Sequence, residues 1–526
     1  MSKFMIAVVL CTLALIGTSR SVALDDAYFH GEAQELGHEI QLFIDSYAYA
    51  DRWDVVGRVN EPSKHPENPV LMADQPWEEK VGLPNVIYDS EDKIFRMWYA
   101  LYNTGRLFQG QAKTPSFAWG GFKARLKGES AWKRYPYMIS YAESQDGVHW
   151  TKPLFDKVSY GVHDKTNIVM TGLNRAQEFH VMWTPKHMGE RGRFMLWYRD
   201  RLPEHGYCIN LAFSDDGVNW KHYEDNPVYT RALDAEHFPV YDQRRKLWLL
   251  YARPQALAAN EVLYTGENVR TRISVTVSKD LKTWSTPRHI LVPDELDDGF
   301  FFDRMEVAKY GNQYLGFVAV QPRDGSGHGY IELVSSPDGF RWFRSPVRKP
   351  FIARGREGDW DGGHTWMLPS IIPVGDWLYM YYVGSSRSWR YRYPENFKGI
   401  GMARIRRDRF MGQYAGNKGG WLLSREVKVT GDRLVINIAP DHRAFSRDQH
   451  GHVKVELFDR SSGPYNDNRP IEGFGQDDCD RIRSNAVDYV VTWNGSADLS
   501  VLKGKDVYIR FYLKNAYLFG FRFVDE

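Results

Sequence analysis

The sequence predicts an all-β protein, a five-bladed β-propeller followed by a C-terminal β-sandwich. Three observations carry that expectation. A Ser-x-Asp-x-x-x-Trp pattern recurs four times, a second set of aromatic strands interleaves with it, and the punctuation changes after Gly416. Long segments with a 3.6-residue period are nearly absent, which excludes a helical solenoid.

In chain order, residues 1–23 read as a secretory signal. Lys3 gives a positive start, Phe4 to Ile16 an apolar run, and Ser21-Val22-Ala23 a small-residue cleavage site. That run is shorter than the roughly 20 apolar residues of a membrane span. A secreted or periplasmic protein with no membrane span is therefore expected.

Residues 24–415 are assigned to the propeller. The repeat copies are Ser144-Asp146-Trp150, Ser214-Asp216-Trp220, Ser278-Asp280-Trp284 and Ser336-Asp338-Trp342, with Gly147, Gly217 and Gly339 after the Asp and Leu281 in the third copy. These residue types make a tight turn, because Ser and Asp cap backbone N–H groups and Gly accepts a positive φ. Each copy follows an apolar strand, and the stretch from Gly399 to Phe410 reads as a degenerate fifth copy. Aromatic strands at 95–100, 194–199, 247–253, 314–320 and 377–384 form the second repeat, each behind a turn. Several strands in every 55 to 75 residues or so, five times over, predict five blades.

Residues 416–526 are assigned to the sandwich, with strands at 434–438, 453–458, 489–493, 507–513 and 518–524. Cys208 and Cys479 are the cysteines left after signal cleavage. They form neither a metal motif nor a disulfide framework, and one bridge or two buried thiols both stay open.

Composition narrows the function classes. Lys and Arg total 68 against 66 Asp and Glu, so the chain lacks the basic excess of a nucleic-acid binder. The 18 Trp, 31 Tyr and 28 Phe suit pleated sheets and also suit stacking on sugar rings.

The Ser-x-Asp-Gly-x-x-Trp turns, the Asn85-Val86-Ile87-Tyr88-Asp89 strand and the Met97-Trp98-Tyr99 strand resemble the five-bladed glycosidase superfamily. That group holds invertase-like and arabinanase-like glycoside hydrolases and mannoside phosphorylases. The resemblance covers roughly residues 60 to 410, and the C-terminal module is similar to the sandwich of invertase-like proteins. The Asn-Asp-Pro-Asn-Gly nucleophile motif is absent, and Arg199-Asp200-Arg201 and Met305-Glu306-Val307 are partial matches. The resemblance implies a secreted glycoside hydrolase. A non-catalytic carbohydrate-binding propeller and a glycoside phosphorylase are the alternatives, the latter requiring a cationic phosphate pocket.

In such a fold, the groups ahead of each innermost strand ring one mouth. They are Trp77, Glu78 and Glu79; Glu178 and His180; Glu236 and His237; Asp303, Arg304 and Glu306; and Asp361, His364 and Trp366. Glycosidic cleavage needs a protonated carboxyl opposite a carboxylate, with environments that split their pKa values. Glu306 is the expected general acid. Glu78 or Glu79 is the opposing nucleophile or base that the resemblance implies, and Asp200 the auxiliary carboxylate. Trp77, Glu178, His180, Glu236, Asp303, Arg304, Asp361 and His364 are expected to bind substrate. The repeat aspartates are expected to be structural.

No cofactor and no metal site is expected, with a structural Ca²⁺ on the axis left open. A basic, aromatic insertion between Tyr99 and Met138, including Lys113, Lys127, Trp119 and Trp132, is read either as a solvated flap packing against the first blade or as a contact for an anionic polysaccharide.

Overall fold

The computed structural model describes residues 33–102, 122–128, 130, 133–135, 137–173, 176–231, 233–254, 272–297, 300–322, 329–387, 397–441 and 450–526. The expected signal at 1–23 and most of the basic insertion, including Lys113, Trp119 and Trp132, lie outside them. The described residues are all-β, with three short 3-10 turns at Lys186–Arg191, Glu295–Asp297 and Ser500–Leu502. Among them, no helix is long and apolar enough to cross a membrane.

Five four-stranded antiparallel sheets follow one another along the chain. Their first strands are Val81–Asp89, Gln177–Trp183, Leu233–Asp242, Phe300–Tyr310 and His364–Val374. Each of these touches the next in order, and the fifth touches the first, so the five close into a ring. The fifth sheet takes its outermost strand, Ser63–Lys64, from the segment that precedes the first sheet. Ring closure therefore joins distant parts of the chain, which the sequence could not show.

The Ser-x-Asp turns join third and fourth strands and latch neighbouring sheets. In the first copy, Ser144 Oγ accepts from the Gly147 amide at 2.9 Å, and Asp146 Oδ1 accepts from the Val148 and His149 amides at 2.8 Å. The turn carbonyl then takes a bond from the adjacent sheet. Trp98 Nε1 donates to Gly217 O at 2.7 Å, Tyr381 Oη to Gly147 O at 2.7 Å, and Tyr251 Oη to Gly339 O at 3.0 Å. Glycine is required at Gly217 twice over, by a φ of +77° and because a Cβ would meet the Trp98 ring at 2.5 Å. Trp98, Trp197 and Trp248 are fully buried between the sheets, each worth up to about 3 kcal/mol of burial.

Antiparallel alternation puts the starts of first strands, the ends of second strands and the starts of third strands at one end of the ring. The Ser-x-Asp turns lie at the other. Of the second-to-third connections at the first end, the one at 203–205 lies wholly within the described residues. At the closed end, the first-to-second turns include the two-residue links 311–312 and 375–376.

Two further sheets share one apolar core, in which Leu434, Ile436 and Phe521 of one face Val453, Val455 and Phe511 of the other. Both recruit strands from the N-terminal side. Gln41–Leu42 pairs with Ala516–Val524, Tyr49–Trp53 with Gly420–Ser424, and Val56–Val59 with Met411–Ala415. The strand expected at 489–493 runs instead over Ala486–Val490, while Val491 and Trp493 still pack into the core. Ile40, Leu42 and Met411 pack against Leu315, Phe317 and Leu378 of the ring. Cys208 and Cys479 are separate buried thiols, one in each unit.

Candidate active site

All five first strands carry a register shift, four of them within their first six residues. A bulge turns a side chain away from the regular alternation, which suits a strand that must aim groups at the axis. In the fourth sheet the shift falls between Phe302 and Arg304. Asp303 Oδ1 accepts from Arg253 Nη1 of the third sheet at 2.9 Å, and its Oδ2 lies 3.3 Å from Arg304 Nε. Arg304 Nε is also 3.9 Å from Glu306 Oε1.

Glu306 is completely buried, and no side chain among the described residues hydrogen-bonds to either carboxylate oxygen. Burial pushes its carboxyl well above the ordinary range, against the opposing pull of Arg304. His364 of the fifth sheet is also fully buried, and no side chain among the described residues hydrogen-bonds to either ring nitrogen. Its ring packs edge-on at 3.7 Å from Trp366. Burial, then Lys398 and Arg304, hold this imidazole neutral.

Two cations lie over that same indole, Arg304 at 5.4 Å and Lys398 at 5.0 Å. Lys398 is half-buried at the start of its strand, Lys398–Arg406. Burial, reinforced by Lys80 and Arg304, brings Lys398 down to about 7.

A second cluster spans the second and third sheets. Glu178, at a φ of +47°, accepts from Arg199 Nη1 at 2.6 Å. The Arg199 guanidinium lies 4.0 Å over the Tyr207 ring. Burial, then Arg199 and His180, push His237 down to about 3, and burial alone pushes His180 down to about 4. Both His237 nitrogens and His180 Nδ1 lack hydrogen-bond partners among the described residues.

The mouth thus gathers Glu178, His180, Asp303, Arg304, Glu306 and His364 from the sequence expectations. Glu236 falls on the third first strand, Leu233–Asp242, and its side chain lies outside the described part. Other expected residues are engaged by near neighbours. Glu78 fastens its own loop, accepting from the Asp74 and Gln75 amides, from Tyr99 Oη at 2.6 Å and from Lys152 Nζ at 2.6 Å. Trp77 is buried and donates to Asn167 Oδ1 at 2.8 Å. Glu79 is buried near Tyr160. Asp200 is buried and accepts from the Leu173 amide at 2.9 Å and the Arg201 amide at 2.6 Å. Asp361 accepts from Lys64 Nζ at 2.5 Å and Tyr382 Oη at 3.0 Å.

The residues missed were Arg199, Arg253 and Lys398, which sit at the ends of second strands or the start of a third. The signal that finds them is topological, since those positions return to the same mouth. Among the described residues, no group of three His, Cys, Asp or Glu side chains could hold a metal ion.

No family model matches the chain. It is similar in sequence to two proteins of Mycobacterium tuberculosis, the uncharacterized proteins Rv1502 and MT1551. Each is 25% identical over 190 residues, covering 35% of this chain and 50% of the relative. The chain therefore spans about half the length of the curated relatives it matches.

Among solved structures it is similar to the β-1,2-mannobiose phosphorylase from Listeria innocua, at 15% identity and a TM-score of 0.42, covering 67% of this chain and 97% of that one. A glycosyl hydrolase from Bacteroides ovatus gives 11% and 0.43, covering 67% and 95%. A thermostable family-43 glycoside hydrolase gives 14% and 0.40, covering 64% and 91%. At such scores the likeness carries no weight for mechanism, which must come from the mouth itself.

Proposed function

We propose that the ring is a five-bladed β-propeller, that the paired sheets form its C-terminal β-sandwich, and that the mouth belongs to an exported carbohydrate-active enzyme. Within that class, the reading is a glycoside hydrolase. One observation carries it: Asp303, Arg304 and Glu306 sit together on one bulged strand, with one carboxylate ion-paired and the other pushed by burial well above the ordinary carboxylate range.

Glycosidic cleavage needs a proton for the leaving oxygen and a carboxylate for the anomeric side. Glu306 supplies the proton. Glu178, ion-paired with Arg199, and Asp303, ion-paired with Arg253, are the carboxylates. Neutral His180, His237 and His364 offer donors and acceptors to sugar hydroxyls. Because Glu306 is sealed from solvent, sugar binding must shift the side chains around it, and the Arg304 Nε lies 3.9 Å from its Oε1.

Phosphorolysis is the second reading, favoured by Arg253, Arg304 and Lys398 around the same carboxylates. Inorganic phosphate would then replace water as the attacking group. Wild type and Glu306→Gln, incubated with neutral and acidic glycans with and without phosphate, separate the cases. Free reducing sugar formed by wild type alone supports hydrolysis. Sugar phosphate formed only with phosphate present moves the assignment to a phosphorylase. No product from any glycan overturns both.

A further inference from the structure

A second surface lies on the outer face of the sheet formed by Tyr49–Trp53, Gly420–Ser424, Asp506–Lys514 and His452–Asp459. Register aligns four side chains across these strands: Trp53 opposite Trp421, Trp421 opposite Tyr512, and Tyr512 opposite Lys454. Residues directly opposite one another share a face. Leu422, Phe511, Leu513, Val453 and Val455 point the other way, into the core. The row Trp53–Trp421–Tyr512–Lys454 therefore faces out, over three strand spacings or roughly 14 Å. Trp53 is 68% exposed, which burial cannot explain for so large an apolar ring.

The flanks of this row differ in charge. On one side, Glu456 is consumed by Arg510 at 3.0 Å and Tyr512 Oη at 2.5 Å. On the other side stand Lys418, His452 and Lys514, around a groove of about 320 Å³ that Trp53, Trp421 and Tyr512 also line. Beyond Lys454 a second hollow of about 500 Å³ is lined by Arg481 and Arg483. Its carboxylate, Asp480, accepts from Thr492 Oγ1 at 2.6 Å and the Gly495 amide at 2.9 Å. The chain as a whole carries only two net positive charges, so this is a local concentration of cations beside an outward aromatic row, in which the Arg510 guanidinium lies 5.1 Å over the Trp421 ring.

We propose that this face is an accessory binding site for an acidic polysaccharide. Its sugar rings lie on Trp53, Trp421 and Tyr512 through their C–H faces, and its carboxylates or sulfates lie toward Lys418, Lys514 and Lys454. The extended groove suits a linear chain better than a compact ligand. This site is independent of the chemistry at the mouth.

The test is affinity electrophoresis of the full-length protein through gels containing polygalacturonate, dextran sulfate or neutral dextran. Wild type should be retarded by an acidic polymer and not by dextran, with retardation weakening as salt is raised. Trp53→Ala should weaken binding about tenfold, and Lys418→Gln with Lys514→Gln should weaken it further. Both substitutions are at outward positions, and an unchanged melting temperature checks the fold. Glu306→Gln should bind like wild type. Retention by polygalacturonate alone assigns carboxylates, and retention by dextran sulfate alone assigns sulfates. Absence of retardation by both acidic polymers, or retardation untouched by Trp53→Ala, overturns the proposal. Concentration-dependent self-association abolished by Trp53→Ala, without glycan retention, would replace the polysaccharide with a second copy of the chain.

Discussion

At the closed end of the ring, Asp146, Asp216, Asp280 and Asp338 each accept two backbone N–H bonds and a serine hydroxyl. At the mouth, Glu306, His237 and His364 are buried with their polar atoms unmatched among the described residues. The ionisation follows the environment. Partial burial raises Asp216, but the Asn219 and Val218 hydrogen bonds bring it down to about 2, and the Thr283 and Lys282 amides do the same for Asp280. Glu306 moves the opposite way. A carboxylate group thus holds sheets together where its charge is satisfied, and is pushed toward its neutral form by burial where it is not.

Glu306→Gln should break this contrast most severely. Loss of an essential acid lowers turnover by roughly 10²- to 10⁴-fold. The same change should alter how stability depends on pH. Burial holds the folded-state pKa of Glu306 well above the ordinary carboxylate range, so its contribution is intact below that range and is lost as pH rises. The wild-type melting temperature should therefore fall relative to Glu306→Gln between pH 5 and pH 8. Parallel curves would show that Glu306 is already ionised when folded.

Gly217→Ala probes the closed end. Its left-handed φ and the Trp98 contact should together cost about 2 kcal/mol or more in urea unfolding. Gly206 is the control, since it has a φ of +66° but open space around its Cβ position, and Gly206→Ala should cost about 1 kcal/mol. Equal losses would mean that the Trp98 latch does not constrain the turn. Activity per folded molecule should be unchanged in Gly217→Ala.

The closed end was legible in the sequence because its hydrogen bonds act within one turn, from Ser144 to Gly147 and from Asp146 to His149. The mouth was legible only in part. Asp303, Arg304 and Glu306 stand together on one strand, so sequence proximity revealed them. The partner of Asp303 is Arg253, on the preceding sheet, and nothing local links the two. Glu78 and Glu79 look equivalent in sequence, but it is Glu78 that meets Tyr99, Lys152 and the Asp74 and Gln75 amides and so fastens the loop. The short strand Gln41–Leu42 is likewise defined by a partner at the far end of the chain.

Lys398 gives the smallest and most diagnostic effect. With its pKa brought down to about 7, it loses its charge as pH rises through neutrality, and the mouth then loses one of the cations around Trp366 and Asp303. Wild-type kcat/KM should decline a few-fold between pH 6 and pH 8, the size expected for one polar contact. Arginine stays protonated across that range, so Lys398→Arg should lack this limb while keeping activity near pH 6. The same limb in both proteins would pass the titration to another group, and Glu306, already tested by its own amide variant, is the one that Arg304 couples to the cluster.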